Sequence, residues 1–183
     1  MNIDYIASEN CTKCDLHKTR KNIVWGDGDQ FSPIIFVGEG PGKEEDEKGK
    51  AFIGRSGIYL NDIFKMLHVN RKDVLILNIV CCRPPGNRNP SIDEIYACHP
   101  RLKRQIHLAE NMKIMVALGK ISWYGLTGLN TPVIANHGKV IKHGKHNILY
   151  TYHPSFLLRN RSIDRKKEFI GDINKAFKIA GMR

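Results

Sequence analysis

Four short apolar runs recur along the chain with amphipathic stretches between them: Pro33 to Gly38 (PIIFVG), Val74 to Val80 (VLILNIV), Ile114 to Leu118 (IMVAL) and Asn147 to Tyr152 (NILYTY). Each has the length and residue types of a strand. The stretches between them carry apolar residues at helical spacing. Ser56 to Val69 does so with Tyr59, Leu60, Ile63, Phe64 and Leu67. Ser91 opens a second helix, with Glu94 three residues on as a capping box and Pro90 just outside, and Ile95, Cys98, Leu102, Ile106 and Ala109 facing inward. A last helix starts near Ser162 and aligns Phe169, Ile170, Ile173 and Phe177. This order predicts an α/β fold, a three-layer α/β/α arrangement around a central, mostly parallel four-stranded sheet. There is no internal repeat, low-complexity tract or long linker, so residues 1–183 are expected to form a single domain.

Composition narrows the class further. A hydrophobic fraction of 42% with mean hydropathy −0.35 excludes a disordered tail or a collagen-like repeat. No apolar run approaches the roughly 20 residues that cross a bilayer, and MNIDYIASEN has no apolar signal core, so no membrane helix and a cytoplasmic location are expected. The net charge of +11 is uneven: residues 139–183 hold eleven Lys/Arg against three Asp/Glu. A concentrated positive field suits a polyanion such as nucleic acid, though basic surfaces also serve solubility alone.

The chain has five cysteines, and a reducing compartment favours a metal or cluster site over a disulfide framework. Cys11 and Cys14 form C-x2-C, a turn that places two thiolates on one centre; Cys82 and Cys98 are separated by fifteen residues. Four such ligands suit tetrahedral zinc or a cubane cluster. In the plainer alternative, Cys98 is a small core residue on the inward helix face.

In parallel sheets ligands bind beyond the carboxyl ends of the strands. Three loops there hold unusual residues. The first is Gly38-Glu39-Gly40-Pro41-Gly42, followed by the acidic run Glu44 to Glu47 and by Ala51-Phe52-Ile53-Gly54-Arg55-Ser56-Gly57; the second is Asn78 to Arg88 (NIVCCRPPGNR); the third is His153-Pro154-Ser155. Taken singly, these read as a turn, a solvated charge run and a structural histidine.

Taken in order, G-E-G-P-G, F-x-G-x-S-G, N-x-x-x-C-R-P-P-x-N-R and a late H-P-S resemble the family 4 uracil-DNA glycosylases, the iron-sulfur branch of the uracil-DNA glycosylase superfamily. The resemblance runs from Cys11 to about Arg159. Two positions depart from it: Ala51 stands where the family usually has Pro, and Cys81 where it usually has Lys.

The resemblance implies a [4Fe-4S] cluster on Cys11, Cys14, Cys82 and Cys98, and hydrolysis of the bond between uracil and deoxyribose to leave an abasic site. A base inside a duplex is out of reach, so the nucleotide must flip into a pocket. Gly38, Gly40, Glu45, Phe52, Asn78 and His153 would surround the base. Phe52 would stack on it, and Glu45 would lie toward C5. Asn78 has both an acceptor and a donor for the N3-H and O4 edge of uracil. His153 would donate to O2 as charge accumulates there, and Glu39 is the acidic candidate for positioning water. Arg83, Arg88, Ser155 and Arg159 would meet the DNA, and Phe156, Leu157 and Leu158 would fill the gap left by the flipped nucleotide. The implied partner is uracil-containing single- and double-stranded DNA, bound by a monomer. Two rival readings are an inactive iron-sulfur DNA-binding module on the same fold, and an enzyme that traps the sugar on a loop histidine. RPPGNRNP offers no such histidine.

Overall fold

The computed structural model describes residues 10–160 and 162–182; the first nine residues, Arg161 and Arg183 lie outside the described residues. The strands are β1 (Asp27–Gly28), β2 (Ile34–Gly38), β3 (Leu75–Asn78), β4 (Ile114–Leu118), β5 (Val140–His143) and β6 (His146–Thr151). The helices are α1 (Lys43–Lys48), α2 (Arg55–Met66), α3 (Ile92–Leu108), α4 (Lys120–Thr127), α5 (Pro154–Arg159) and α6 (Ile163–Ala180). The sheet order is β1-β3-β2-β4-β6-β5, parallel across the four inner strands and antiparallel at both edges.

Among the described residues the sheet therefore has six strands, not the four expected. The four inner strands are the four apolar runs. Both added strands lack that signal for a physical reason: β1 is only two residues, and β5 reads VIKH and is half-exposed as the outer arm of a hairpin with β6. Gly28 permits the β1 pairing, because at φ +109° a Cβ there would lie 1.9 Å from the Val74 carbonyl oxygen.

Alternate residues of each inner strand feed two cores. Ile34 and Phe36 of β2 pack with Leu60, Ile63 and Phe64 of α2 and Phe169, Ile173 and Phe177 of α6. Ile35 and Val37 face the other side, with Ile95 and Leu102 of α3 and Trp123 of α4. This double burial explains why the inner strands read as unbroken apolar runs. The capping box at Ser91 forms as expected: Ser91 Oγ accepts from Glu94 N at 3.2 Å, and Glu94 Oε2 accepts from Ser91 N at 2.7 Å. Three helices were not expected. The acidic run is α1, the segment after β4 is α4, and the residues after His153 form α5.

Candidate functional site

The site is built where β2 and β3 end. Gly38 and Asn78 are register partners, and the ladder continues past the strands, with Ile79 N donating to Gly38 O (2.9 Å) and Val80 N to Glu39 O (3.1 Å). The two loops are thereby held as one surface. A Cβ on Gly38 would lie 2.5 Å from two Phe52 ring carbons and 2.6 Å from Asn78 Oδ1, so only glycine leaves room there for both side chains. Asn78 is 3% exposed, and its Oδ1 is buried with no hydrogen-bond partner. A buried acceptor left bare costs about 1 to 3 kcal/mol. That cost is recovered when a ligand brings a donor.

Phe52 is 5% exposed and adopts φ 51°, a left-handed conformation that is strained for a residue with a side chain. Two neighbours enforce it. A Cβ on Gly57 would fall 1.8 Å from the Phe52 carbonyl oxygen, so helix α2 can start beneath the Phe52 turn only with glycine there. Glu45 on α1 accepts from Ile53 N (3.0 Å) and Gly54 N (2.7 Å) through Oε1 and from Gly42 N (3.1 Å) through Oε2. Its carboxylate, expected toward C5 of the base, is spent on the backbone that carries Phe52. Neighbouring Asp46 accepts from Lys21 N and Asn22 N, tying the N-terminal segment to the same helix.

His153 caps α5, and its ring lies near that of Phe52, with ring centroids 6.1 Å apart and planes tilted by 46°. Its Nδ1 accepts from Ser155 N at 3.1 Å, and the Ser155 hydroxyl lies 2.8 Å from the same nitrogen. A backbone N–H can only donate, so Nδ1 carries no proton and the ring proton sits on Nε2. Burial, and secondarily the positive charge of Arg159, lower the His153 pKa to about 4, so the imidazole is neutral near pH 7. Gly119 faces it: a Cβ there would lie 2.8 Å from His153 Cβ. Sequence reasoning missed this glycine, which follows β4 and looks like an ordinary turn residue.

Glu39 is half-buried. Burial raises its pKa to about 7, against the opposing pull of Arg159. Arg159 thus acts electrostatically on both Glu39 and His153, and its side chain is exposed at the site's edge. Gly40 packs on the neighbouring loop, where a Cβ would meet Val80 Cγ2 at 2.8 Å.

The residues expected at DNA divide. Arg83 donates to Asn87 Oδ1 at 2.7 Å and remains partly exposed, whereas Arg88 forms a two-point ion pair with Glu94 at 2.8 and 2.7 Å that anchors the loop to α3. Ser155 is taken up with His153. Leu157 is corrected outright: at 1% exposure it belongs to the core packed on α2 and α6. On α5 its neighbour Leu158 points outward, at 38% exposure, and is the most exposed of Phe156, Leu157 and Leu158.

Cys11, Cys14, Cys82 and Cys98 line one cavity together with Lys13, Arg20 and Arg101. Among the described residues no three Cys, His, Asp or Glu side chains gather tightly enough to hold one metal ion; the four thiols instead surround a common space. Arg20, which sequence reasoning passed over, bridges two parts of this wall by donating to Cys11 O (2.8 Å) and Cys82 Sγ (3.5 Å). Cys81 does not line the cavity. It is buried, and its amide donates to Cys98 Sγ at 3.4 Å.

A sequence model of the uracil DNA glycosylase superfamily matches residues 25–178. The type-4 uracil-DNA glycosylase of Thermotoga maritima is 41% identical over 170 residues, covering 92% of this chain and 88% of that protein. The type-4 uracil-DNA glycosylase of Pyrobaculum aerophilum is 39% identical, covering 92% and 89%, and that of Archaeoglobus fulgidus is 35% identical, covering 99% and 94%. Similarity of this extent takes in both the pocket and the cysteine-lined cavity, and the chain belongs to the uracil-DNA glycosylase superfamily, among its type-4 members.

Proposed function

We propose that this protein removes uracil from DNA by hydrolysing the N-glycosidic bond, releasing the free base and leaving an abasic site for repair. The observation that carries this reading is the buried, unpartnered Asn78 Oδ1, held with the Phe52 ring against Gly38, with the His153 ring 6.1 Å from that of Phe52. A flat base stacked on Phe52 would present N3-H to Asn78 Oδ1 and O4 to Asn78 Nδ2. Cytosine presents the opposite polarity at both atoms.

As the bond breaks, its electron pair leaves with uracil, and negative charge grows on O2. Neutral His153 donates Nε2–H to that oxygen and is not itself required to give up the proton. The sugar gains oxocarbenium character and is attacked at C1′ by water, whose proton passes to the Glu39 carboxylate. Exposed Arg159 and partly exposed Arg83 meet phosphates, and Leu158 fills the space of the flipped nucleotide. Incubating the protein with a uracil-containing single strand and a U:G duplex, followed by alkaline cleavage and a denaturing gel, tests this directly. Strand breaks at uracil are expected. The absence of product would favour an inactive DNA-binding module, and a covalent adduct a sugar-trapping enzyme.

The cysteine-lined cavity fits a [4Fe-4S] cluster held by Cys11, Cys14, Cys82 and Cys98. Four thiols supply its full ligand set, and Lys13, Arg20 and Arg101 offset its negative charge. When bound, the cluster supplies cross-linking between the N-terminal segment, the loop after β3 and α3. Anaerobically purified protein should be brown, with about four irons per chain by metal analysis. A colourless, zinc-loaded protein of full activity would overturn this assignment.

A further inference from the structure

The two residues before His153 are tied to α6 by a polar network that the chemistry above leaves unused. Thr151 Oγ1 donates to Asp172 Oδ2 at 2.6 Å, and the Tyr152 hydroxyl donates to Glu168 Oε2, also at 2.6 Å. His137 joins the two carboxylates, with Nδ1 3.1 Å from Asp172 Oδ2 and Nε2 3.5 Å from Glu168 Oε2. Its ring stacks on Tyr152 with centroids 5.0 Å apart. Arg165 completes the Glu168 side, donating to that carboxylate at 2.9 Å and to the Tyr152 oxygen at 3.1 Å. Gly138 makes room for the arrangement, since a Cβ there would lie 2.6 Å from Asp172 Oδ1.

Thr151 and Tyr152 are completely buried, at the point where an inner strand would ordinarily bury apolar side chains. A polar pairing in such a place adds little net stability compared with well-packed apolar groups; what it supplies is one defined geometry. The geometry it defines is that of the strand end from which His153 emerges. Tyr152 also stacks on Phe156 of α5, centroids 5.6 Å apart, so the helix that His153 caps is referenced to the same network.

The geometry points to Thr151, Tyr152, His137, Asp172 and Glu168 as a positioning network that sets where His153 presents its Nε2–H. The inference rests on the proposed role of His153 at uracil O2. A donor displaced by about 1 Å costs on the order of a hundredfold in rate, so a partial loosening is expected to cost roughly tenfold. None of the five is among the residues placed around the base above.

The test is a double-mutant cycle on single-turnover uracil excision. Thr151→Val, which keeps shape and removes the hydroxyl, is expected to slow excision roughly tenfold with DNA affinity within about twofold of wild type. Thr151→Ser should restore most of the rate. In a His153→Ala background, Thr151→Val should cause no further loss, because the network acts only through that imidazole. The ¹⁵N spectrum of the labelled imidazole gives a reading free of activity: wild type should show His153 fixed as the Nε2–H tautomer, and Thr151→Val an averaged signal. If Thr151→Val does not fold, Tyr152→Phe removes the matching contact to Glu168 and serves in its place. An equal rate loss in the His153→Ala background, or a lowered melting temperature with an unchanged rate, overturns the network. If His153→Ala alone keeps the wild-type rate, the role of His153 falls and the network with it; if His153→Ala is impaired and Thr151→Val is not, only the network falls.

Discussion

Asn78→Ala is expected to slow uracil excision on the order of tenfold to several hundredfold, because the base then meets a wall with no acceptor for N3-H and no donor for O4. Two features make the loss large. Asn78 Oδ1 is buried without a hydrogen-bond partner, so a donor brought by the base satisfies an acceptor that is costly to leave bare. Gly38 lies so close to the amide that a Cβ there would meet Oδ1 at 2.6 Å, so the neighbouring strand confines it on that side. Asn78→Asp is more informative. An ionised carboxylate there repels O4 and the charge growing on the departing base, so uracil excision should fall at least as far as in Asn78→Ala. When protonated, the same carboxyl offers a carbonyl to cytosine N4-H and an O–H to cytosine N3, the pairing that Asn78 refuses. Weak excision from cytosine-containing single strands, rising as pH falls, is therefore expected. Retention of full uracil activity by both variants would show that another group reads the base.

The sequence shows the inner architecture because each inner strand is buried on both faces, which writes an uninterrupted apolar run into the chain. It hides the edges, because β1 is two residues long and β5 half-faces solvent. It also hides α1. Glu44 to Glu47 reads as surface charge, yet Glu45 and Asp46 are buried, each spending its carboxylate on backbone N–H groups of other segments. Hydropathy assigns such residues to solvent, whereas hydrogen bonding brings them inside. The pocket residues were legible as a set through their loops at strand ends, but the orientation of each side chain was not. Leu157 and Leu158 are adjacent and chemically identical, and only the direction of α5 sends the first into the core and the second into solvent. The contacts to Asp172 behind His153 left no local trace. Thr151 and His137 lie 21 and 35 residues from Asp172 in the chain, and neither a His nor an Asp in those contexts signals the other.

The second large effect is expected at Glu39, and its signature is a pH profile. The carboxylate must be ionised to take a proton from water or to face a cationic sugar, and burial holds its pKa at about 7 instead of the usual carboxylate range. Single-turnover excision should therefore rise about tenfold per pH unit below pH 7 and level off above it. His153, with a pKa near 4, remains neutral over this window and contributes no limb to the profile. Glu39→Gln should remove the limb and depress the plateau by roughly a hundredfold or more, with DNA binding little changed. Stability should move the other way. A carboxyl whose folded pKa lies above its unfolded value favours the fold while protonated, and that advantage is lost as pH rises from the unfolded value through about 7. At pH 8 the native protein therefore carries the cost of a buried charge that Glu39→Gln does not have. The melting temperature of Glu39→Gln should exceed that of wild type by a margin that grows between pH 5 and pH 8. Arg159 provides an independent lever, since its charge pulls the Glu39 pKa down: Arg159→Ala should shift the limb to higher pH while preserving its slope. A flat profile in wild type, or a Glu39→Gln rate within about twofold of it, would move water activation away from Glu39.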